Sequence, residues 1–325
     1  MTTPPSAPAR QAAVVYNPIK IDVEAVRQAV AVAEKEAGWP STLWFETSEE
    51  DAGQGPAAEA LAAGATMIIA AGGDGTVRAV AEGMHDSSAS LALLPSGTGN
   101  LLARNLKLTL EDLDNALHTA FAGDDRAIDL GLIDIRRDDD SVTKHVYVVM
   151  AGLGVDARML ANTDADLKKR VGWLAYAKAL VTTLREKNHL EFRYSFDGKP
   201  ARTMRANTII IGNCGALPAN ILLLPDAAID DGVFDILLLR PESFLGWLQI
   251  LYKVFWENGV VRRLPFADKL KGREDEALRY VKAKSVTVKL RGPEDIEIDG
   301  DEFGKAVGFR TTVKPGGLTV RVPRD

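Results

Sequence analysis

Cysteine is nearly absent from this chain. Cys214 is the single one among 325 residues, so no intrachain disulfide can form, which suits a reducing compartment. Positive charge is not in surplus either: the formal net charge is −6, which disfavours a nucleic-acid partner, because polyanions are held by basic surfaces. No run approaches the roughly 20 apolar residues of a membrane span. The opening MTTPPSAPAR has neither the basic start nor the apolar core of a signal peptide, so a cytoplasmic protein is expected. His85, His118, His145 and His189 are scattered without the spacing of a metal site or a catalytic dyad. Cys214, in GNCGALPAN, lacks the neighbours that a nucleophile needs and reads as a small buried residue.

What is present is a globular balance, 46% apolar and 26% charged, with a change of pattern near residue 133. Residues 1–11 read as a loose tail. The first part alternates: AAVVY (12–16), TLWFE (42–46), TMIIA (66–70) and SLALL (90–94) read as strands, with helix-spaced segments between them. Val77, Val80, Ala81 and Met84 fall on one helical face, and a further helix is expected over 111–122, with Thr109 able to cap it and Asp112 at the capping-box position. Strands alternating with helices imply a parallel sheet covered on both faces. The second part carries strand-like runs: IDLGLIDI, HVYVVM, LEFRYSF, ARTMRANTIII, GVFDILLLR, SVTVKL, DIEID and LTVRVP. Asp-Gly pairs at 197–198, 231–232 and 299–300 signal turns between some of them. The fold class expected is α/β: an N-terminal doubly wound parallel α/β domain (12–133) and a C-terminal antiparallel β-sandwich domain (134–309). The last strand, about 310–325, could return to the first domain.

In an open parallel sheet, ligands bind beyond the carboxyl ends of the strands. Two glycine-rich loops occupy that edge, GGDGT (72–76) after the third strand and PSGTGN (95–100) after the fourth. Glycine allows a sharp turn and lets a phosphate approach main-chain N–H groups, and a helix start adds its positive end. Asp74 is an odd choice for a loop that only cradles phosphate. It makes sense as the acceptor of a proton from an attacking hydroxyl, or as a holder of the metal that bridges phosphates. The first strand-to-helix turn, YNPIKID, has no glycine, so this is not a dinucleotide fingerprint and a nicotinamide oxidoreductase is disfavoured; GxxxxGK[ST] is also missing.

AAGGDGTV followed by LLPSGTGNLLARNL resembles the diacylglycerol kinase catalytic domain family, which includes sphingosine, ceramide and bacterial lipid kinases. The resemblance extends through YNP (16–18), IDLG (128–131), AGLGVDA (151–157), PDAAIDDGVFDILLLRP (225–241) and IDGDEFG (298–304). It implies ATP- and Mg2+-dependent phosphate transfer to a lipid hydroxyl, in a cleft between the two domains. Matched by motif, Asn17, Thr47, Gly72, Gly73, Asp74, Gly75, Thr76, Val77, Arg78, Gly97 and Thr98 would line the nucleotide. Asp301, after Asp299-Gly300, is the family's candidate base, where many relatives carry Glu; Glu302 stands beside it. Leu101 replaces an aspartate found in several bacterial relatives. Asp129 matches an acid near the cleft or simply ends a strand. Asp231 matches a structural magnesium site in bacterial relatives or belongs to an Asp-Gly hairpin. The segment 243–263 has an apolar face with Lys253, Arg262 and Arg263 nearby, which suits a membrane-interfacial helix or one packed on the sandwich. KKR (168–170) reads as a solvated helix start. A lipid substrate met by peripheral contact with a membrane follows, with a homodimer left open. GGDGT is shared with NAD kinases, so an NAD kinase-like phosphotransferase and a nucleotide-binding regulator without catalysis are the alternatives.

Overall fold

The computed structural model describes residues 10–97, 99–154, 190–217, 221–240 and 278–324. Residues 1–9 of the expected tail, Thr98, the second half of AGLGVDA, the helical patterns at 171–188 and 243–263 and the KKR run lie outside the described residues, while Gln11, at the end of that tail, exchanges hydrogen bonds with Thr66 through its backbone N–H and carbonyl. The chain divides into two compact units, Met1–Ile128 with Gly316–Asp325, and Asp129–Pro315.

The first unit alternates β1 (Ala12–Tyr16), α1 (Val23–Glu36), β2 (Leu43–Glu46), α2 (Gln54–Ala62), β3 (Met67–Gly72), α3 (Asp74–Met84), β4 (Ser90–Pro95), α4 (Leu101–Asn105) and α5 (Leu113–Ala122). β1 pairs in parallel with β2 and β3, and β3 with β4, in the order β2-β1-β3-β4. β1 and β3 are wholly buried, which explains why they read as unbroken apolar runs rather than as alternating ones. One face packs Val26 and Val30 of α1 and Leu117 and Phe121 of α5 against Val14, Met67, Ile69 and Leu94. α2 and α3 lie close together because Gly83 carries no side chain: a Cβ there would overlap the Gln54 carbonyl. α5 starts later than the pattern implied. Its cap is Asp112, whose carboxylate accepts from the Asn115 N–H at 2.9 Å, and Thr109 lies upstream of the start.

β5 (Asp124–Arg136) carries the chain into the second unit, where it pairs antiparallel with β6 (Val142–Tyr147) around the charged turn 137–141. β7 (Met150–Leu153), β8 (Leu190–Phe196), β9 (Arg202–Ala206), β10 (Thr208–Gly212), β11 (Ala216–Leu217), β12 (Ile221–Leu222), β13 (Phe234–Leu239), β14 (Leu278–Ala283), β15 (Ser285–Ile298) and β16 (Asp301–Val322) follow. ARTMRANTIII is two strands, not one. The chain breaks at buried Asn207, so that β9 pairs β8 while β10 pairs β7 and β13. SVTVKL and DIEID are the reverse case, one strand bent by register shifts between Lys289 and Glu294 and between Asp295 and Glu297. Its first half pairs β8 and its second half β7, so β15 joins the β8–β9 hairpin to the β7–β10–β13–β14 strands. β16 extends far upstream of LTVRVP despite Gly304, Gly308 and Pro315. At Gly308 the close pass of β15 requires glycine, since a Cβ would stand 2.6 Å from the Val288 carbonyl oxygen. The end of β16 runs parallel to β4 through Thr319↔Ser90 and Val320↔Leu91, closing the first unit's sheet.

Candidate active site

The strand order reverses around β1 and β3, and that is where an open sheet leaves a crevice at its carboxyl edge. Asn17, just past β1, is tied across it: its N–H donates to the Ala71 carbonyl at 3.0 Å, and its Oδ1 accepts from the Ile19 N–H at 3.0 Å. Thr47, just past β2, is buried and donates its N–H to the Tyr16 carbonyl at 2.9 Å. β3 ends in Gly72, and α3 begins at Asp74 with Gly73 as an extended N-cap that supplies no side-chain bond. Gly73 supplies no capping side chain at this positive end of the helix. Thr76, Val77 and Arg78 are buried behind this turn, and the Arg78 guanidinium pairs with Glu82 at 2.7 Å.

The second glycine loop lies directly on the first. The Ser96 N–H donates to the Gly72 carbonyl at 3.3 Å, and a Cβ on Gly97 would stand 3.0 Å from the Gly73 Cα. A Cβ on Gly99 would run into the Asp74 carboxylate. Neither Gly97 nor Gly99 has a positive φ, so the closeness of the two loops, not the backbone angle, is what calls for glycine. The Leu101 N–H, opening α4, donates to Asp74 Oδ1 at 2.6 Å. Asp74 is half-buried and bridges both loops, with its second oxygen on the Gly99 side.

Two residues that the motif reading passed over hold this loop in shape. Asn100 sits in the left-handed region (φ 47, ψ 47), accepts from the Gly97 N–H at 3.2 Å and donates to the Gly97 carbonyl at 2.6 Å. Arg104 donates from Nε to the Gly99 carbonyl at 2.6 Å. Asn after Gly at the end of PSGTGN was the available signal, since Asn tolerates the left-handed region better than most residues.

In the second unit, two acids of separate motifs, Asp129 and Asp299, share one buried hydrogen-bond network, and a third motif joins it through the Gly232 N–H. Asp129 is 2% exposed; its Oδ2 accepts from the Gly232 N–H at 2.6 Å, and its carbonyl accepts from Asn213 Nδ2 at 2.7 Å. The Asn213 N–H donates to the Val149 carbonyl at 2.8 Å. Asp299, 3% exposed, accepts the N–H groups of Val148, Val149 and Met150, each at 2.9 Å. Asn213 and residues 148–150 thus link the IDLG strand to the DGD turn, and the DDG loop joins through Gly232 on Asp129. Asp301 begins β16 opposite Ile298, half-buried, while Glu302 is exposed; strand alternation sends the two side chains to opposite faces.

Two of the Asp-Gly pairs form the expected turn with both residues at positive φ, 51° and 70° at 197–198 and 50° and 88° at 299–300. The pair at 231–232 does not make a hairpin. β12 pairs β11 and β13 pairs β10 and β14, and the loop is held instead by Asp129 and by Lys282, whose Nζ lies 3.0 Å from Asp231 Oδ2. Cys214 is buried, as expected, and burial pushes its thiol well above the usual range, which is the setting of an unreactive thiol. No cluster of metal-ligating side chains occurs among the described residues, and none of their helices is long and apolar enough to cross a membrane.

Comparison with known proteins follows the same division. The profile of the diacylglycerol kinase catalytic domain matches residues 11–133, and that of the YegS C-terminal NAD kinase beta sandwich-like domain matches 148–322. A Pseudomonas fluorescens protein named "Probable lipid kinase YegS-like" is 33% identical over 93% of this chain and 90% of its own length. The Bacillus subtilis diacylglycerol kinase is 26% identical over 92% of each chain. Among solved structures, a diacylglycerol kinase from Bacillus anthracis superposes with a TM-score of 0.67 at 17% identity, covering 96% of this chain and 97% of that one. Yeast NADH kinase shares the fold more distantly, with a TM-score of 0.51 at 10% identity, over 98% and 84%.

Proposed function

This chain belongs to the family of lipid kinases built from a diacylglycerol kinase catalytic domain and a YegS-type C-terminal domain, and from that premise we propose that it transfers the γ-phosphate of ATP, with Mg2+, to the hydroxyl of a lipid alcohol. Diacylglycerol is the first acceptor to test, as the substrate named for the Bacillus subtilis relative. A sphingoid base is the second. The observation that carries the reading is the pair of glycine loops in backbone contact, with one carboxylate, Asp74, bridging them.

Each part of that edge has work suited to it. The glycine-capped first turn of α3 and the side-chain-free surface at Gly73, Gly97 and Gly99 form a cradle that any Cβ at Gly97 or Gly99 would disturb, which suits a triphosphate held by main-chain donors. Asn17 and Thr47 stand on the same edge of the first unit's sheet and would border the nucleotide there. Asp74 is the residue suited to hold Mg2+, or to take the proton from the lipid hydroxyl as it attacks. Bound Mg2+ would supply charge neutralisation of the transferring phosphoryl group. Asp301 is the second candidate for the proton. Its turn is fixed by the buried Asp299, so its position does not depend on a mobile tip. A lipid acceptor implies peripheral work at a membrane surface.

The test is transfer of labelled phosphate from ATP to a panel of lipid alcohols in mixed micelles, with NAD as a water-soluble control acceptor. Label in a lipid and none in NADP is the expected result. Label in NADP alone would replace this reading with the NAD kinase one, and ATP binding without transfer to any acceptor would replace it with a regulator.

A further inference from the structure

The family resemblance assigns Asp231 to a structural magnesium ion, yet the surroundings of Asp231 already contain a cation. Lys282, on β14, brings its ammonium to 3.0 Å from Asp231 Oδ2, 3.0 Å from Asp235 Oδ2 and 3.1 Å from the Asp226 carbonyl. The ammonium donates hydrogen bonds to Asp231 Oδ2 and the Asp226 carbonyl and meets Asp235 Oδ2 as an ion pair. The remaining oxygen of Asp231 accepts from the Val233 N–H at 3.2 Å, so both of its oxygens are engaged within the fold. Asp235 is buried on β13, facing Lys282 in register across the β13–β14 pair. The spacing is that of hydrogen bonds, about 3 Å, whereas magnesium requires oxygens at roughly 2.0–2.1 Å in octahedral array. The ammonium occupies the position that a magnesium ion would need in order to sit between Asp231, Asp235 and the Asp226 carbonyl.

We infer that Lys282 is a built-in cation that takes the place of the structural metal at Asp231, so that the second unit is held together here without a divalent ion. Charge chemistry agrees with the geometry. Burial disfavours the charge on Lys282, but hydrogen bonds to Asp231 and Asp235 outweigh it and raise its pKa. Burial raises that of Asp235, and Lys282 opposes that rise. Asp235 would otherwise be a buried carboxylate without a countercharge, a costly arrangement. The inference does not depend on which acceptor is phosphorylated.

Thermal unfolding of the nucleotide-free protein tests it, in EDTA and across a MgCl2 titration, for wild type, Asp231→Asn and Lys282→Met. Wild type and Asp231→Asn are expected to respond to magnesium alike, because any ion bound elsewhere affects both. Lys282→Met, which leaves two carboxylates and a carbonyl around the vacated position, is expected to melt lower in EDTA and to gain a magnesium-dependent rise that wild type lacks. A magnesium response of wild type that disappears in Asp231→Asn would overturn the inference, and so would equal responses of wild type and Lys282→Met. If Lys282→Met does not fold, the comparison of wild type with Asp231→Asn still decides.

Discussion

Asp74, in the first unit, and Asp299, in the other, are alike in sequence. Each is an aspartate followed by glycine, within two residues after a strand, in a motif shared with lipid kinases. Their surroundings differ. Asp299 is almost fully buried and spends both oxygens on three backbone N–H groups, 149 to 151 residues away in sequence. Asp74 is half-buried, and its Oδ1 accepts the N–H of Leu101. A carboxylate surrounded by main-chain donors is fixed as part of the fold, whereas a half-buried one beside a glycine cradle suits a metal or a proton. The glycines follow the same contrast. In the first unit they let two loops touch, and in the second Gly300 serves a two-residue turn at positive φ.

Substitutions can break or sharpen that contrast. The largest effect is expected at Asp74→Asn, which keeps an oxygen able to accept from Leu101 but removes the charge. Phosphate transfer should fall by about 10³-fold, with the melting temperature near that of wild type; near-normal turnover would remove Asp74 from the mechanism. Asp299→Ala should act in the opposite sense, on the fold. It strands three buried N–H donors, and denaturant unfolding should show a loss of about 3 kcal/mol. A stability change under about 1 kcal/mol would show that the buried carboxylate does not hold the turn. Asp301→Asn should lower turnover by about 10²-fold without a matching loss of stability. If it instead behaves like Asp299→Ala, Asp301 belongs to the structural group. The smallest effect is expected at Asn100→Ala, which removes two hydrogen bonds to Gly97 and leaves a β-carbon in the left-handed region. A loss of about 1 kcal/mol, together with a raised KM for ATP, would show that the second loop is shaped by its own side chain.

Much of the first unit was legible from local pattern. AAVVY coincides with β1, and the helix following Asp22 begins at Val23 with Asp22 as its cap. Parallel strands buried on both faces leave a strong apolar signal, and helices between them leave a period of 3.6. The second unit was harder. SVTVKL and DIEID are halves of one bulged strand, ARTMRANTIII is split at Asn207, and most of β16 was hidden by glycines and a proline that its pairing with β15 accommodates. Cross-strand partners lie far apart in the chain, so register shifts and strand breaks carry little local signature.

The sequence alone determined the succession of strands and helices in the first unit, the two glycine loops at strand ends, and the acids that mark the family. Turn chemistry and hydrophobic period are properties of neighbours along the chain, and a reader of one sequence sees those neighbours. Tertiary structure decided which donors surround each acid. Asp299 meets Val148 to Met150, Asp129 meets Gly232, Asp231 meets Lys282 and Asp74 meets Leu101 only once the chain has folded. A carboxylate's role depends on the donors around it in space, and folding is what puts them there.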